Sequence, residues 1–438
     1  VSRTPRVIAA AVLAAPMMMT PVAAAVVPPV VDNARLPPAA PPKPVQPTEL
    51  RQPCFSASAH ATGAVTHPLG LDAVWQLTRG AGQTIAVIDT GVARHRLLPH
   101  LVGGGDYVSG GDGTADCDGH GTIVAGIAGG APTDDGFSGV APDATILAIR
   151  QSSNKFAVEG ETAGVGDVTT LAQAVRTAAD LGAGVINISS VACVAAERAP
   201  DDGTLGAALA YAVDVKNVVV VAAAGNVGGP GHCPAQNGAA GPPDWEHVRT
   251  IASPAWYDDL VLCVGSVGPD GVASQFTLAG PWVDVAAPGE QVVSLHPDGE
   301  QLIDRLGEAD PISGTSYAAP MVAGIAALVR ARFPQLTARE VMRRIETTAH
   351  RPPGGWDPLV GNGIVDALAA TSDGGQPVTA AARPVSTVTA PTAGQADDGS
   401  RRVAFGGAAI CVVLGVALAV SVGRLRRGAS GGQPVTDD

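Results

Sequence analysis

The chain has 438 residues, a formal net charge of −13 and 46% hydrophobic residues, with aromatics at only 3%. That is enough apolar sequence for one large core, built from Ala, Val, Ile and Leu rather than from rings. The acidic balance argues against nucleic-acid binding, which needs a basic stripe to neutralise phosphates.

Arg3 and Arg6 open the chain, an apolar run covers 7–19, and small residues end at Ala24 and Ala25. This pattern predicts a secretory signal peptide over 1–25. Pro16 and Pro21 weigh against an uncleaved anchor. A Pro-rich extension follows over 26–68, where proline fixes φ and removes backbone donors, and regular order is expected from about Leu69. From there to about 370, short β-branched runs at 84–88, 145–149, 184–188, 218–223 and 261–267 read as strands covered on both faces. Amphipathic stretches at 169–181 and 206–215 lie between them, and strand–helix repetition of this kind predicts an α/β domain with a mainly parallel central sheet flanked by helices. Thr337 and Glu340 form a capping-box pattern that opens one more helix.

Beyond the domain, 371–402 is rich in Pro, Thr, Ala, Gly and Asp without periodicity, as a flexible stalk would be. Residues 403–422 carry no charge. At about 1.5 Å per residue they are long enough to cross a hydrocarbon core of about 30 Å, so one transmembrane helix is expected there. Arg424, Arg426 and Arg427 follow the span, which places the 423–438 tail in the cytosol and the domain on the extracytoplasmic side of the cell membrane.

Of the six cysteines, Cys411 lies in the span and Cys263 in an unbroken apolar run, where a free core thiol is expected. Cys54, Cys117, Cys193 and Cys233 remain for disulfides, which persist in an exported domain. Three connectivities are open, and proximity in sequence favours Cys54–Cys117 and Cys193–Cys233. No pair has Cys-x-x-Cys spacing, so no metal is assigned. Asp112, Asp116, Asp118, Asp134 and Asp135 lack an ion-binding pattern and read as solvated loop acids.

Four segments carry chemistry. Ala86-Val87-Ile88-Asp89 is a buried strand ending in an acid, at the rim where α/β sheets bind ligands. Asp118-Gly119-His120-Gly121-Thr122 presents an imidazole at a helix start between two glycines. Val219–Ala224 is a buried strand followed by Gly225-Asn226, whose amide can donate to an oxyanion. Gly314-Thr315-Ser316 opens an apolar helix, where unpaired N–H groups and the dipole favour negative charge beside a serine nucleophile. The first three alone each have a bland alternative: a turn acid, a turn histidine, a turn asparagine.

In this chain order, the four segments resemble the subtilisin-like serine proteases over about 69–370, together with Asp284-Val285-Ala286-Ala287-Pro288-Gly289 and Gly361-Asn362-Gly363. The resemblance implies Asp89, His120 and Ser316 as catalytic triad, with Asn226 and the Ser316 N–H as oxyanion donors and no cofactor. It also marks Ser189, Ser190 and Val191 as substrate-lining. The family usually has glycine where Val191 stands, so a narrowed primary pocket is expected. Signal, Pro-rich extension, extra cysteines, stalk and single span are together similar to the mycosins, the anchored proteases of actinobacterial type VII secretion systems. That resemblance implies limited cleavage of a secreted protein substrate, a secretion membrane complex as partner, and alternatively a mainly structural role in that complex.

Overall fold

Seven strands, β1 (Thr84–Asp89), β2 (Leu101–Asp106), β3 (Thr145–Arg150), β4 (Val185–Ile188), β5 (Val219–Ala223), β6 (Leu262–Val267) and β7 (Val285–Pro288), form one parallel sheet in the order β7-β6-β5-β4-β1-β3-β2. The computed structural model describes residues 26–56, 61, 69–229, 232–238, 241–307 and 310–374. The sequence-expected signal peptide, transmembrane span, cytosolic tail and most of the stalk lie outside the described residues.

The strands β4, β5 and β6 are buried at every position, so both faces of the sheet are covered. The helices α1 (His120–Gly129) and α4 (Thr315–Arg332) pack on each other and on the sheet. A second pair, α2 (Val168–Asp180) and α3 (Gly203–Ala210), also packs together, with α2 lying on the sheet. Gly324 makes the α1–α4 contact possible, since a Cβ there would stand 2.5 Å from that of Val140 and 3.1 Å from the Ala128 carbonyl oxygen. Helix α2 carries a capping box from Asp167 and Thr170, and α5 (Ala338–Thr348) carries the one expected from Thr337 and Glu340.

The chain lays β1, β3 and β2 to one side, then returns to the other side of β1 with β4 and continues outward to β7. The direction of winding thus reverses at β1/β4. The carboxyl ends of those two strands are where an open parallel sheet leaves a crevice for ligand. Asp89 ends β1, and Ser189 follows β4.

The five expected strands all form, within a residue or two of the expected bounds. Two sheet strands were not expected. In β2, three consecutive glycines hide the apolar pattern and a register shift falls between Gly103 and Gly105. The other, β7, ends in Pro288, which an edge strand tolerates. The helix expected at 206–215 starts earlier, at Gly203, and its last turn, Tyr211–Val215, is a π-helix.

The extension differs from expectation, because regular structure starts well before Leu69. A 3-10 turn at Asn33–Arg35 is capped by Asp32, and the strand Thr48–Leu50 pairs antiparallel with Phe156–Val158. Arg35 pairs with Asp201 at 2.7 Å, and the Arg176 guanidinium donates to the Pro37 carbonyl. Prolines that cannot build a sheet interior therefore still lie along the domain surface. Cys54 is bridged to Cys117 and Cys193 to Cys233, and Cys263 is the buried free thiol. Burial raises the Cys263 thiol pKa, which keeps it protonated and inert.

The Cys54–Cys117 bridge spans 63 residues. Closing so long a loop restrains the unfolded chain, and Cys54→Ser is expected to lower unfolding free energy by about 2–5 kcal/mol. Denaturant titration of the two proteins checks this, and an unchanged midpoint means the extension does not brace the domain.

Candidate active site

The strand β1 delivers Asp89 to the crevice with its side chain fully buried. One carboxylate oxygen accepts from the Thr90 N–H at 2.7 Å and lies 2.7 Å from the His120 Nδ1. His120 is the first residue of α1, and two glycines explain how it gets there. Gly119 has a φ of +83°, a left-handed conformation that side chains avoid. A Cβ on Gly121 would run into the Gly91 carbonyl, so glycine allows the helix to start hard against the end of β1.

Burial works against a charged imidazole, but the Asp89 carboxylate, its hydrogen bond and the nearby charges of Asp116 and Asp118 outweigh it. The net effect raises the His120 pKa. The Tyr317 ring lies against the imidazole with centroids 5.4 Å apart. Burial, aided by Asp89, raises the phenol pKa and keeps Tyr317 neutral.

Ser316 is the second residue of α4, beside the crevice. Its hydroxyl donates to the Ser189 carbonyl at 3.0 Å, and the Ser189 hydroxyl donates to the Ser316 carbonyl at 2.8 Å. The serine is thus held against the end of β4. Asn187 donates from its amide to the Ser189 hydroxyl at 2.9 Å from within buried β4.

Asn226 lies three residues beyond β5. Its carbonyl oxygen accepts from both the Thr315 N–H and the Thr315 hydroxyl, each at 3.0 Å. A backbone N–H needs an acceptor, so this contact fixes which end of the amide is oxygen and leaves the NH2 pointing away from Thr315. The Asn226 backbone carbonyl accepts from the Cys233 N–H at 2.7 Å, and the Val227 N–H donates to the Phe276 carbonyl at 2.7 Å. The Cys193–Cys233 bridge therefore ties the Asn226 loop to the strand that follows Ser189–Val191.

The structure gathers Asp89, His120, Ser189, Asn226 and Ser316 around one crevice. Ser190 and Val191 continue the chain from Ser189, both half-buried, and Val191 packs against the core.

Asn187, Thr315 and Tyr317 were missed in the sequence. The asparagine inside Val185–Ile188 was the one available signal, a polar residue in an apolar strand. Asp116 and Asp118 are corrections. Neither is a solvated loop acid: Asp116 accepts from Thr90, Gly119 and Thr122, and Asp118 from Ser153 and Asn154. Composition cannot show that the fold closes donors over an acid.

The family model described as "Subtilase family" matches residues 80–363. The chain is 58% identical over 422 residues to Mycosin-4 of Mycobacterium tuberculosis, covering 92% of each. The crystal structure of MycP1 from the ESX-1 type VII secretion system is similar at a TM-score of 0.74 and 41% identity, over 79% of this chain and 96% of that one. A chain of an intact ESX-5 inner membrane complex is similar at a TM-score of 0.76 and 37% identity, over 91% of this chain and 100% of that one.

Proposed function

Since this chain belongs to the subtilase family, and within it to the mycosins, we propose that it is a membrane-anchored serine endopeptidase performing limited cleavage of a secreted protein, within a type VII secretion system. The observation that carries the chemistry is the buried Asp89 bonded to His120 beside the Ser316 helix start.

In this reading, Ser316 attacks a peptide carbonyl while His120 takes its proton. Asp89 holds the imidazole tautomer and stabilises the cation as it forms. The Asn226 NH2 and the Ser316 N–H bind the tetrahedral oxyanion. His120 then protonates the leaving amine, and water releases the acyl group. Only neutral His120 can act as base, so the rate rises with pH through its raised pKa.

The uncharged span at 403–422 supplies the single anchor, with the domain outside and the tail in the cytosol. Val191 narrows the primary pocket, so a peptide library is expected to show small residues before the scissile bond. A preference for Phe or Tyr there overturns that part of the reading.

Likeness to a chain in an assembled inner membrane complex favours a second reading, in which the protein mainly stabilises that complex. One comparison separates the two. A strain carrying Ser316→Ala is set beside a strain lacking the chain, and secretion is measured in both. Equal loss supports proteolysis as the essential role, and retained secretion with Ser316→Ala supports the structural one.

A further inference from the structure

His120 sits between two glycines, which permit the close approach of α1 to β1 but lend it no stiffness. The N-cap, Gly119, has no side chain to satisfy the first-turn N–H groups of α1. Something else must hold the imidazole in place, and the hydrogen bonds show what does.

One Asp116 oxygen accepts from the Thr90 hydroxyl and from the Gly119 N–H, each at 2.8 Å. The other accepts from the Thr122 N–H at 2.8 Å and its hydroxyl at 2.7 Å. Both hydroxyls pass the linkage on. The Thr90 hydroxyl accepts from the Gly121 N–H at 2.9 Å, and the Thr122 hydroxyl accepts from the Ala93 N–H at 2.9 Å.

One side chain thus joins the residue after Asp89 to the residues on either side of His120. We infer that Asp116 is a positioning residue for the Asp89–His120 pair, a clasp that sets where the imidazole stands relative to Ser316.

Asp116 receives four hydrogen bonds and gives none, as an ionised carboxylate does. Burial raises its pKa against the pull of these donors. Its charge also lies at the start of α1, where the helix dipole favours an anion. From outside, the extension braces the same loop. Cys117 is bridged to Cys54, the Phe55 N–H donates to the Cys117 carbonyl at 2.7 Å, and the Phe55 ring lies over Gly119.

The charged or titratable groups facing the imidazole are Asp89 from β1, Asp116 and Asp118 from the loop before α1, and the Tyr317 phenol from α4. Removing one of these negative charges disfavours the imidazolium. The His120 pKa then falls, and the acid limb of the rate profile moves to lower pH.

The inference rests on Asp89 and His120 being the acid and base of a serine peptidase, and the test keeps the two apart. The full-length protein in detergent is treated with a fluorophosphonate, and the second-order rate of labelling at Ser316 is followed against pH. Asp116→Asn is expected to lower that rate by about 10- to 100-fold, the scale of a misplaced catalytic group. Its acid limb should move to lower pH. Thr90→Val breaks the link to Gly121 but keeps the carboxylate, so it should slow labelling without moving the limb, and Thr90→Ser should restore the rate.

An Asp116→Asn protein that labels at the wild-type rate overturns the inference, as does one that is merely less thermostable with an unmoved limb. If Asp116→Asn does not fold, the threonine pair decides: equal rates for wild type, Thr90→Val and Thr90→Ser overturn it. Wild-type protein that is not labelled at Ser316 instead removes the catalytic reading, and the inference with it.

Discussion

Replacing Ser316 with alanine is expected to abolish peptide hydrolysis and leave the domain folded. The size of the effect follows from the division of labour at the site. Without the hydroxyl no acyl-enzyme forms, and His120 has no serine proton to take. Removing the nucleophile from a subtilisin costs about 10⁶ in kcat, and what remains comes from the oxyanion donors and substrate binding. That magnitude is subtilisin's own, and membership of the same family sets it as the scale here.

The structural cost should be small. The Ser316 hydroxyl gives one hydrogen bond, to the Ser189 carbonyl at the edge of the crevice, where water can replace it. A change within about 1 kcal/mol is expected. Two measurements check both halves, peptide turnover and thermal unfolding of the same preparations. Covalent fluorophosphonate labelling at another residue, with Ser316 untouched, would place the nucleophile elsewhere.

The sequence revealed the site as fragments and the sheet as runs. Buried parallel strands announce themselves because both faces are apolar, so Thr84–Asp89, Thr145–Arg150 and Val219–Ala223 were plain. Leu101–Asp106 was not, since Gly103, Gly104 and Gly105 carry no pattern. The strand at Thr48–Leu50 was masked by the prolines around it, which exclude a sheet interior but not a two-stranded edge.

Asp89, His120, Asn226 and Ser316 stand out as candidates in the sequence because each ends or closely follows a strand, or opens a helix, in an ordered series of short motifs. Their supports were not. Ser189 and Ser316 exchange hydrogen bonds across 127 residues, and Thr315 locks Asn226 across 89. Nothing local in a sequence encodes such pairs. Asp116 is the clearest case: as a residue type in a Gly- and Asp-rich loop it looks solvated, and only the closure of β1 onto α1 makes it a hub.

Asn226→Ala is expected to lower kcat by about 10²–10³ with little change in KM. The magnitude is that of a single oxyanion donor lost from a subtilisin, roughly 2.7–4 kcal/mol of transition-state stabilisation. What this structure adds is the reason to expect the full effect. An asparagine free to rotate would present its carbonyl as often as its NH2, and would spend part of its binding energy on being oriented. Here Thr315 occupies the Asn226 side-chain carbonyl twice, which leaves the NH2 as the end of the amide available to donate. The backbone is held as well, through Cys233 and the neighbouring strand of the crevice. Donors fixed in advance cost no reorganisation when charge develops, and that charge appears only along the reaction path. Ground-state binding should therefore be nearly untouched. A peptide aldehyde, which forms a tetrahedral adduct with Ser316, should lose affinity in step with kcat, while a product peptide should not. Thr315→Val removes one of the two contacts that orient the amide, so it should give a smaller loss of the same kind. An Asn226→Ala enzyme with an unchanged catalytic rate would remove Asn226 from the oxyanion site.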